Sequence, residues 1–203
     1  MGVNRLESFS DGVIAVAITL LVLAIAVPAP DSLGGHSLGH ALLHNWAHYA
    51  AYVVSFLTIG IIWINHHVMI SRLREADHSI FILNLLLLMT IAILPFATDL
   101  MATYLGHADG RSLAAAVYAG CFSLMGIAFA QLNRHVLLRR AHLLVVAIPF
   151  ARRRSILRAA TAGVFPYVIA TGLAFVSPYV TLGICAALAA FYAHPLASGR
   201  GLV

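Results

Sequence analysis

The distribution of apolar residues along the chain predicts a bundle of membrane-spanning helices. Between Gly12 and Val27 the only polar side chain is Thr19. A helix of about 20 apolar residues crosses the hydrocarbon core of a bilayer. Similar apolar runs recur along the chain, so we predict an all-α integral membrane protein with one domain over residues 1–203. The six predicted spans cover residues 9–27, 46–70, 78–104, 111–133, 156–177 and 179–196.

The segments between these runs are predicted to lie outside the hydrocarbon core. Residues 28–45 are rich in proline and glycine, so they predict a loop that ends in a short interfacial helix. Residues 134–155 place arginines around an apolar stretch that is too short to span. Four histidines in the first loop recur every four residues and would line one helical face, where solvated side chains are favoured over a zinc site. They are His36, His40, His44 and His48.

Composition supports a membrane protein and disfavours several other classes. The chain is 62% hydrophobic and 9% charged, whereas soluble domains carry about 25% charged residues. A chain this apolar has no solvated basic face for nucleic acid, although its net charge is +5. There is no glycine-rich phosphate loop and no nucleophile elbow, so we expect neither an enzyme nor a bound cofactor. Cys121 and Cys185 lie in apolar runs and are predicted to be buried, unpaired side chains.

The placement of arginine predicts the orientation. All twelve basic residues are arginines, and with the N-terminus inside, Arg111 is the only one that falls in an outside segment. Positively charged residues concentrate in cytoplasmic loops. The sequence therefore predicts a multi-pass protein of the cell inner (plasma) membrane with both termini in the cytoplasm.

This orientation gathers polar side chains from three spans at one depth. Asp11 would lie at the inner end of the first span, and a carboxylate there needs partners. The neighbouring spans offer Trp63, His66, His67, His78 and Asn84 at the same end. Adjacent helical residues point in different directions, so His66 and His67 are a poor metal pair. A structural hydrogen-bond network is favoured over a metal site, and a proton-sensing role remains open.

One face of the first span is a candidate functional surface. Read as a helix, the span places two sets of residues at helical spacing on two faces. Periodicity does not decide which face meets lipid, protein or a pore. The first face carries Val16, Thr19, Leu20 and Leu23, and the second carries Val13, Ala17, Leu21 and Ala24.

Several motifs resemble the transmembrane protein 175 family of potassium channels. The first is Arg5-x-x-x-Phe9-Ser10-Asp11, followed by an apolar run that ends at Val27-Pro28. The resemblance continues in Trp63-x-x-His66-His67, in Asn84 within its leucine run, and in Leu94-Pro95-Phe96. These motifs cover the first three spans in order, while the last three spans match only in hydropathy and position.

The resemblance implies a fold, an assembly and a function. Bacterial members of the family have six spans per subunit and form homotetramers in which the first helix lines a central pore. The implied permeant ion is K⁺, with modest selectivity over Na⁺ from an apolar constriction and no carbonyl filter. The implied constriction residues are Val16, Leu20 and Leu23, with Thr19 as a polar layer. The implied structural network at the inner end, with no metal, comprises Arg5, Phe9, Ser10, Asp11, His66, His67 and Asn84.

Two departures from the family pattern and two rival functions accompany this prediction. Val16 stands where a bulkier residue is usual, so Leu20 or Leu23 could be the narrowest ring. Ala24 stands where many bacterial members carry an acid. The first rival is a proton-coupled transporter or proton pathway that uses Asp11 and the inner-end histidines. The second is a membrane scaffold without transport, and the predicted partners throughout are further copies of the chain and membrane lipid.

Overall fold

The computed structural model describes residues 2–30, 35 and 37–194, and these residues form an all-helical bundle. Within them the only extended pairing is an isolated antiparallel bridge between Leu73 and Leu144. A 3-10 turn, Leu21–Ala24, continues the first helix, and a π turn, His135–Arg139, continues the sixth. The helices are α1 (Val3–Leu20), α2 (Leu38–His44), α3 (Trp46–Ile70), α4 (His78–Ala92), α5 (Leu94–Tyr104), α6 (Arg111–Arg134), α7 (Phe150–Ala162), α8 (Phe165–Leu173) and α9 (Pro178–Ala193).

Five helical segments among the described residues are long and apolar enough to cross a membrane. They are Val3–Ala24, Trp46–Ile70, His78–Tyr104, Arg111–Arg139 and Phe150–Leu173. The sixth predicted span corresponds to α9, which has 16 residues. At 1.5 Å per residue α9 is about 24 Å long, which is short of a hydrocarbon core of about 30 Å.

The first helix begins earlier and ends earlier than predicted. The prediction of 9–27 followed hydropathy alone, whereas the helix begins at Val3 and includes the polar residues before Gly12. Its α-helical part ends at Leu20, and the 3-10 turn to Ala24 then leads into extended backbone at Ile25. The polar motif around Asp11 is therefore part of the helix, where its side chains have fixed directions.

The fifth span is also shifted toward the N-terminus and is broken. Instead of 156–177 it covers Phe150–Leu173, as α7 and α8. The break falls at Gly163 and Val164, just before Pro166 in the first turn of α8. Proline lacks an amide hydrogen and suits the first turn of a helix rather than its interior. Arginine content concealed the beginning of α7 from a hydropathy reading.

The core lies around α6, which packs against α4, α5 and α8. Tyr118 and Phe122 are fully buried there, with their rings in an edge-on contact 4.8 Å apart. The Tyr118 hydroxyl is 3.1 Å from the Ser55 oxygen, which is 2.8 Å from the Thr98 hydroxyl. Buried hydroxyls need partners, and these three link α3, α5 and α6. Cys185 and Cys121 are buried and unpaired, as predicted.

The loops at one end of the bundle are joined by polar contacts. We call this end, which carries Glu7, His67 and Asp77, the inner end. Asp77 caps α4 by accepting a hydrogen bond from the Ile80 amide at 2.8 Å, and it pairs with Arg140 beyond α6. Burial raises the pKa of Asp77, but the hydrogen bonds from the Ile80 amide and Arg140 lower it by a larger amount. The pKa of Asp77 therefore lies below its usual value.

The short helix predicted at the end of the first loop is α2. His40 and His44 lie on it with their rings stacked 6.4 Å apart. Asn45 ends α2, so His48 belongs to α3 and does not continue the same helix. His36 lies outside the described residues. The predicted single face of four histidines is therefore interrupted.

Candidate functional site

One face of α1 is uncovered in the single subunit. Val16 is 58% exposed, Leu20 42% and Leu23 75%, and Thr19 is exposed between them. These are the residues of the first predicted face. Leu23 lies in the 3-10 turn, so it does not follow the α-helical spacing that the prediction assumed. It nevertheless remains the most exposed of the three apolar side chains.

The opposite face of α1 is buried against the rest of the bundle. Ile14, Ala17 and Leu21 are almost completely inaccessible, and α1 packs on α3, α4 and α5. Two members of the second predicted face, Ala17 and Leu21, thus meet protein. Periodicity alone left this assignment open, and the structure decides it.

The Thr19 hydroxyl donates its hydrogen bond within the helix. Its Oγ1 donates to the Val16 carbonyl at 2.9 Å. A hydroxyl has one hydrogen and two acceptor lone pairs. With the hydrogen engaged, the oxygen of this exposed residue presents acceptor capacity only, which suits contact with a cation.

Asp11 is anchored by an indole. Trp63 on α3 donates its Nε1–H to the Asp11 Oδ1 at 2.8 Å. The prediction that Asp11 requires a partner from a neighbouring span is confirmed. The partner is Trp63, which the sequence placed at the same depth, rather than a histidine.

A buried chain of hydrogen bonds joins α3, α4 and α1 at the inner end. Asn84 donates its amide to the Ser10 hydroxyl oxygen at 2.9 Å, and Ser10 donates to the Leu6 carbonyl at 2.8 Å. The Asn84 amide oxygen lies 2.7 Å from His66 Nε2. Since a carboxamide oxygen only accepts, His66 carries its hydrogen on Nε2. The three side chains have no exposed surface, so this chain fixes the position of α1.

Glu7 belongs to the same inner end, although sequence reasoning did not select it. His67 Nδ1 lies 2.9 Å from the Glu7 carboxylate. Glu7 precedes Asp11 by four residues, so both project from one side of α1 once the helix is known to begin at Val3. That spacing was the available signal, and placing the start of the helix near residue 9 concealed it.

The ligand atoms of Glu7, Asp11 and His67 lie within 4.8 Å of one another, as a metal site would require. Their direct contacts, Glu7 with His67 and Asp11 with Trp63, already pair each group. The two adjacent histidines do not form a pair of metal ligands. His66 contacts Asn84 on α4, and His67 contacts Glu7 on α1. We retain the prediction that no metal is bound there.

Two members of the predicted network lie outside it. Phe9 is 54% exposed, and Arg5 is also exposed on α1. Among the described residues Arg5 forms no ion pair. At helical spacing, positions 5, 9, 12 and 16 follow one another along the uncovered side. Arg5 and Phe9 thus extend the exposed face toward the inner end rather than the buried chain.

The fold and this site define a multi-pass helical membrane protein whose first helix keeps one face uncovered. The sequence model of the family described as endosomal/lysosomal potassium channel TMEM175 matches residues 5–95. A potassium channel of Streptomyces collinus is 44% identical over 93% of this chain and 90% of the relative. The chain belongs to the TMEM175 family of potassium channels.

Structural similarity agrees with this assignment. A solved lysosomal potassium-selective channel TMEM175 homologue from Chamaesiphon minutus matches with a TM-score of 0.85 and 36% identity, over 99% of this chain and 98% of the other. The human protein named endosomal/lysosomal proton channel TMEM175 is 31% identical over 86% of this chain, which corresponds to 35% of the human protein.

Proposed function

We propose that the protein is a homotetrameric potassium channel whose pore is lined by the uncovered face of α1. The observation that carries this proposal is the contrast between the two sides of that helix: Val16, Leu20 and Leu23 are exposed while Ile14 and Leu21 are buried. One helix cannot enclose a pore, but four symmetry-related copies can. The bacterial relatives that match along nearly the whole chain are named potassium channels.

Selectivity follows from the chemistry of this face. Rings of Val16, Leu20 and Leu23 would form an apolar constriction, where an ion must lose part of its hydration shell. K⁺ holds its water less tightly than Na⁺, so it crosses more readily, and modest selectivity results. Four Thr19 hydroxyl oxygens, whose hydrogens are bonded to the Val16 carbonyls, would replace some of the lost water contacts.

The inner-end contacts act as a support for the pore helix. The buried chain through Ser10, Asn84 and His66 and the exposed pairs of Asp11 and Glu7 all join α1 to α3 or α4. They hold the helix from the side that faces away from the pore. We assign them pore positioning rather than contact with the ion.

The proposal includes six spans per subunit and a defined orientation. The α9 segment would complete the sixth span, although it is short, by crossing a locally thin part of the bilayer or the protein core. The arginines at the inner end would face the cytoplasm, as positively charged loops do. Both termini would then be cytoplasmic in the inner membrane.

A second candidate, proton permeation, is favoured by the human relative's name. The geometry of the buried chain argues against a relay through it. Asn84 links His66 to Ser10, and a carboxamide does not readily accept and release a proton in sequence. A proton route would instead use Asp11 and His67 at the inner end or the pore along the face of α1.

Flux from proteoliposomes distinguishes these functions. Vesicles loaded with K⁺ and a pH-sensitive dye, and then diluted into Na⁺ medium, are expected to acidify inside only after a protonophore is added, because K⁺ efflux then draws protons inward. Acidification with a potassium ionophore in place of the protonophore would instead show proton conduction. Signals equal to those of empty vesicles in both arms would favour a scaffold and contradict a channel.

A further inference from the structure

The helix α7 is the least covered helix of the subunit's second half. None of its residues from Phe150 to Ala162 is buried. An open groove of about 840 Å³ runs between this helix and the end of α6. Its walls include Leu138 from the π turn, Phe150, Arg154, Leu157 and Arg158 from α7, and Phe165 from α8.

The groove changes in character along its length. Its α7 and α8 residues, Arg154, Leu157, Arg158, Thr161 and Phe165, follow helical spacing along one stripe. The arginines lie in the first half and middle of α7, and Phe165 lies seven residues beyond Arg158, past the break between α7 and α8. Beyond Arg158 the α7 and α8 lining is uncharged and ends at Phe165. Two arginines with such a surface beyond them match a phospholipid, which has an anionic headgroup and a hydrocarbon tail.

Among the described residues, the arginines of the groove have no acidic partner. No aspartate or glutamate follows Asp109 in the sequence, although nine of the twelve arginines do. Asp77 pairs with Arg140, and neither Arg154 nor Arg158 forms an ion pair within the part of the chain that the structure describes. These exposed guanidinium groups are therefore available to bind an anion from outside the chain.

Neighbouring contacts hold one of these guanidinium groups near the groove. Arg153 donates to the Leu137 carbonyl at 3.0 Å, which fixes the first turn of α7 against the end of α6. The Arg154 guanidinium lies 5.8 Å from the centroid of the Phe150 ring, at the groove's edge. A planar guanidinium can bind two oxygens of one phosphate.

We infer that this groove binds one anionic phospholipid of the inner leaflet. Arg154 and Arg158 contact the phosphodiester, and an acyl chain lies over Leu157 and Phe165. The inference rests on the orientation proposed above, because anionic lipids are enriched in the cytoplasmic leaflet. It does not depend on which ion is conducted, so a binding assay tests it separately from transport.

The test is a lipid titration of purified protein, followed by native mass spectrometry with phosphatidylglycerol and with phosphatidylcholine. We expect phosphatidylglycerol to bind more tightly. The Arg154→Ala/Arg158→Ala variant is expected to lose about tenfold or more of that affinity, since each basic residue near the surface contributes appreciably to anionic lipid binding. Its affinity for phosphatidylcholine should remain unchanged.

The matched control removes two arginines from the same end but outside the groove, as Arg134→Ala/Arg139→Ala, and should retain tight binding. Equal losses in both double variants would show diffuse attraction and overturn the site. No preferential binding by the unmodified protein would also overturn it, as expected if a neighbouring copy covers the groove. Leu157→Trp keeps the charges and fills the groove, so undiminished phosphatidylglycerol binding in this variant would contradict a bound acyl chain.

Discussion

Cadmium applied to the Leu20→Cys variant is expected to abolish most of its potassium current. In a tetramer with α1 at its centre, four thiols would face one another across the apolar constriction of the pore. Thiolates bind soft metals strongly, so a single ion coordinated by them would block the pathway, with a loss of roughly nine-tenths of the current. Planar-bilayer recording before and after addition of the metal measures the effect.

The native chain offers a low background and a matched control for this experiment. Cys121 and Cys185 are both buried, so the unmodified protein should be insensitive to cadmium. Leu57 on α3 is 38% exposed, similar to Leu20, and Leu57→Cys should behave like the unmodified protein. Equal block of the two cysteine variants, or no block of Leu20→Cys, would show that the uncovered face of α1 does not line the ion pathway.

Asn84→Ala is expected to be the most damaging substitution at the inner end. The change leaves His66 and Ser10 without their shared partner inside a fully buried contact between α3, α4 and α1. Each buried polar group left unpaired costs about 1–3 kcal/mol, less where membrane helices find other partners. We expect a total of about 2–4 kcal/mol, which lowers the melting temperature by about 5–10 °C in a protein of this size.

A double-mutant cycle separates the hydrogen bond from loss of packing. Melting temperatures of Ser10→Ala, Asn84→Ala and the combined variant should be strongly non-additive, because the second change removes one partner of a hydrogen bond that the first has already broken. The currents of all three should fall, since α1 loses its fixed position. Additive losses, or a normal melting temperature for Asn84→Ala, would mean that the buried chain does not hold the pore helix.

The uncovered face of α1 was predictable because two independent signals converged on it. Helical spacing grouped Val16, Thr19, Leu20 and Leu23, and the family resemblance chose that group over the face of Ala17 and Leu21. Spacing alone was insufficient because both faces are almost equally apolar. Only packing against α3, α4 and α5 distinguishes a buried leucine such as Leu21 from an exposed one such as Leu23.

The polar contacts were predictable in place but not in pairing. Their common depth followed from the orientation of the spans. Ser10, His66 and Asn84 do meet, while Asp11 meets Trp63. The exact partners depend on side-chain direction, which a hydropathy pattern does not contain. Glu7 was missed because the polar beginning of α1 reads as loop, although it is helical from Val3.

The boundaries of the fifth span were wrong for a related reason. Arginines in the first turns of α7 lower its hydropathy, although the helix begins at Phe150. Gly163 and Pro166 then divide the span at a point where the averaged hydropathy stays high and shows no break. Interfacial segments of this kind combine charge with regular helix, so hydropathy alone places their ends wrongly.

The central claim is that apolar side chains on the uncovered face of α1 select the ion. The most direct measurement is the reversal potential in a planar bilayer, with K⁺ on one side and Na⁺ on the other. The unmodified protein should give a reversal potential that favours K⁺. This potential should move toward zero in Val16→Ala and in Leu23→Ala, because the constriction widens. Val53→Ala, on an exposed side of α3, should leave it unchanged. A potential that follows pH and is indifferent to both α1 substitutions would contradict the account.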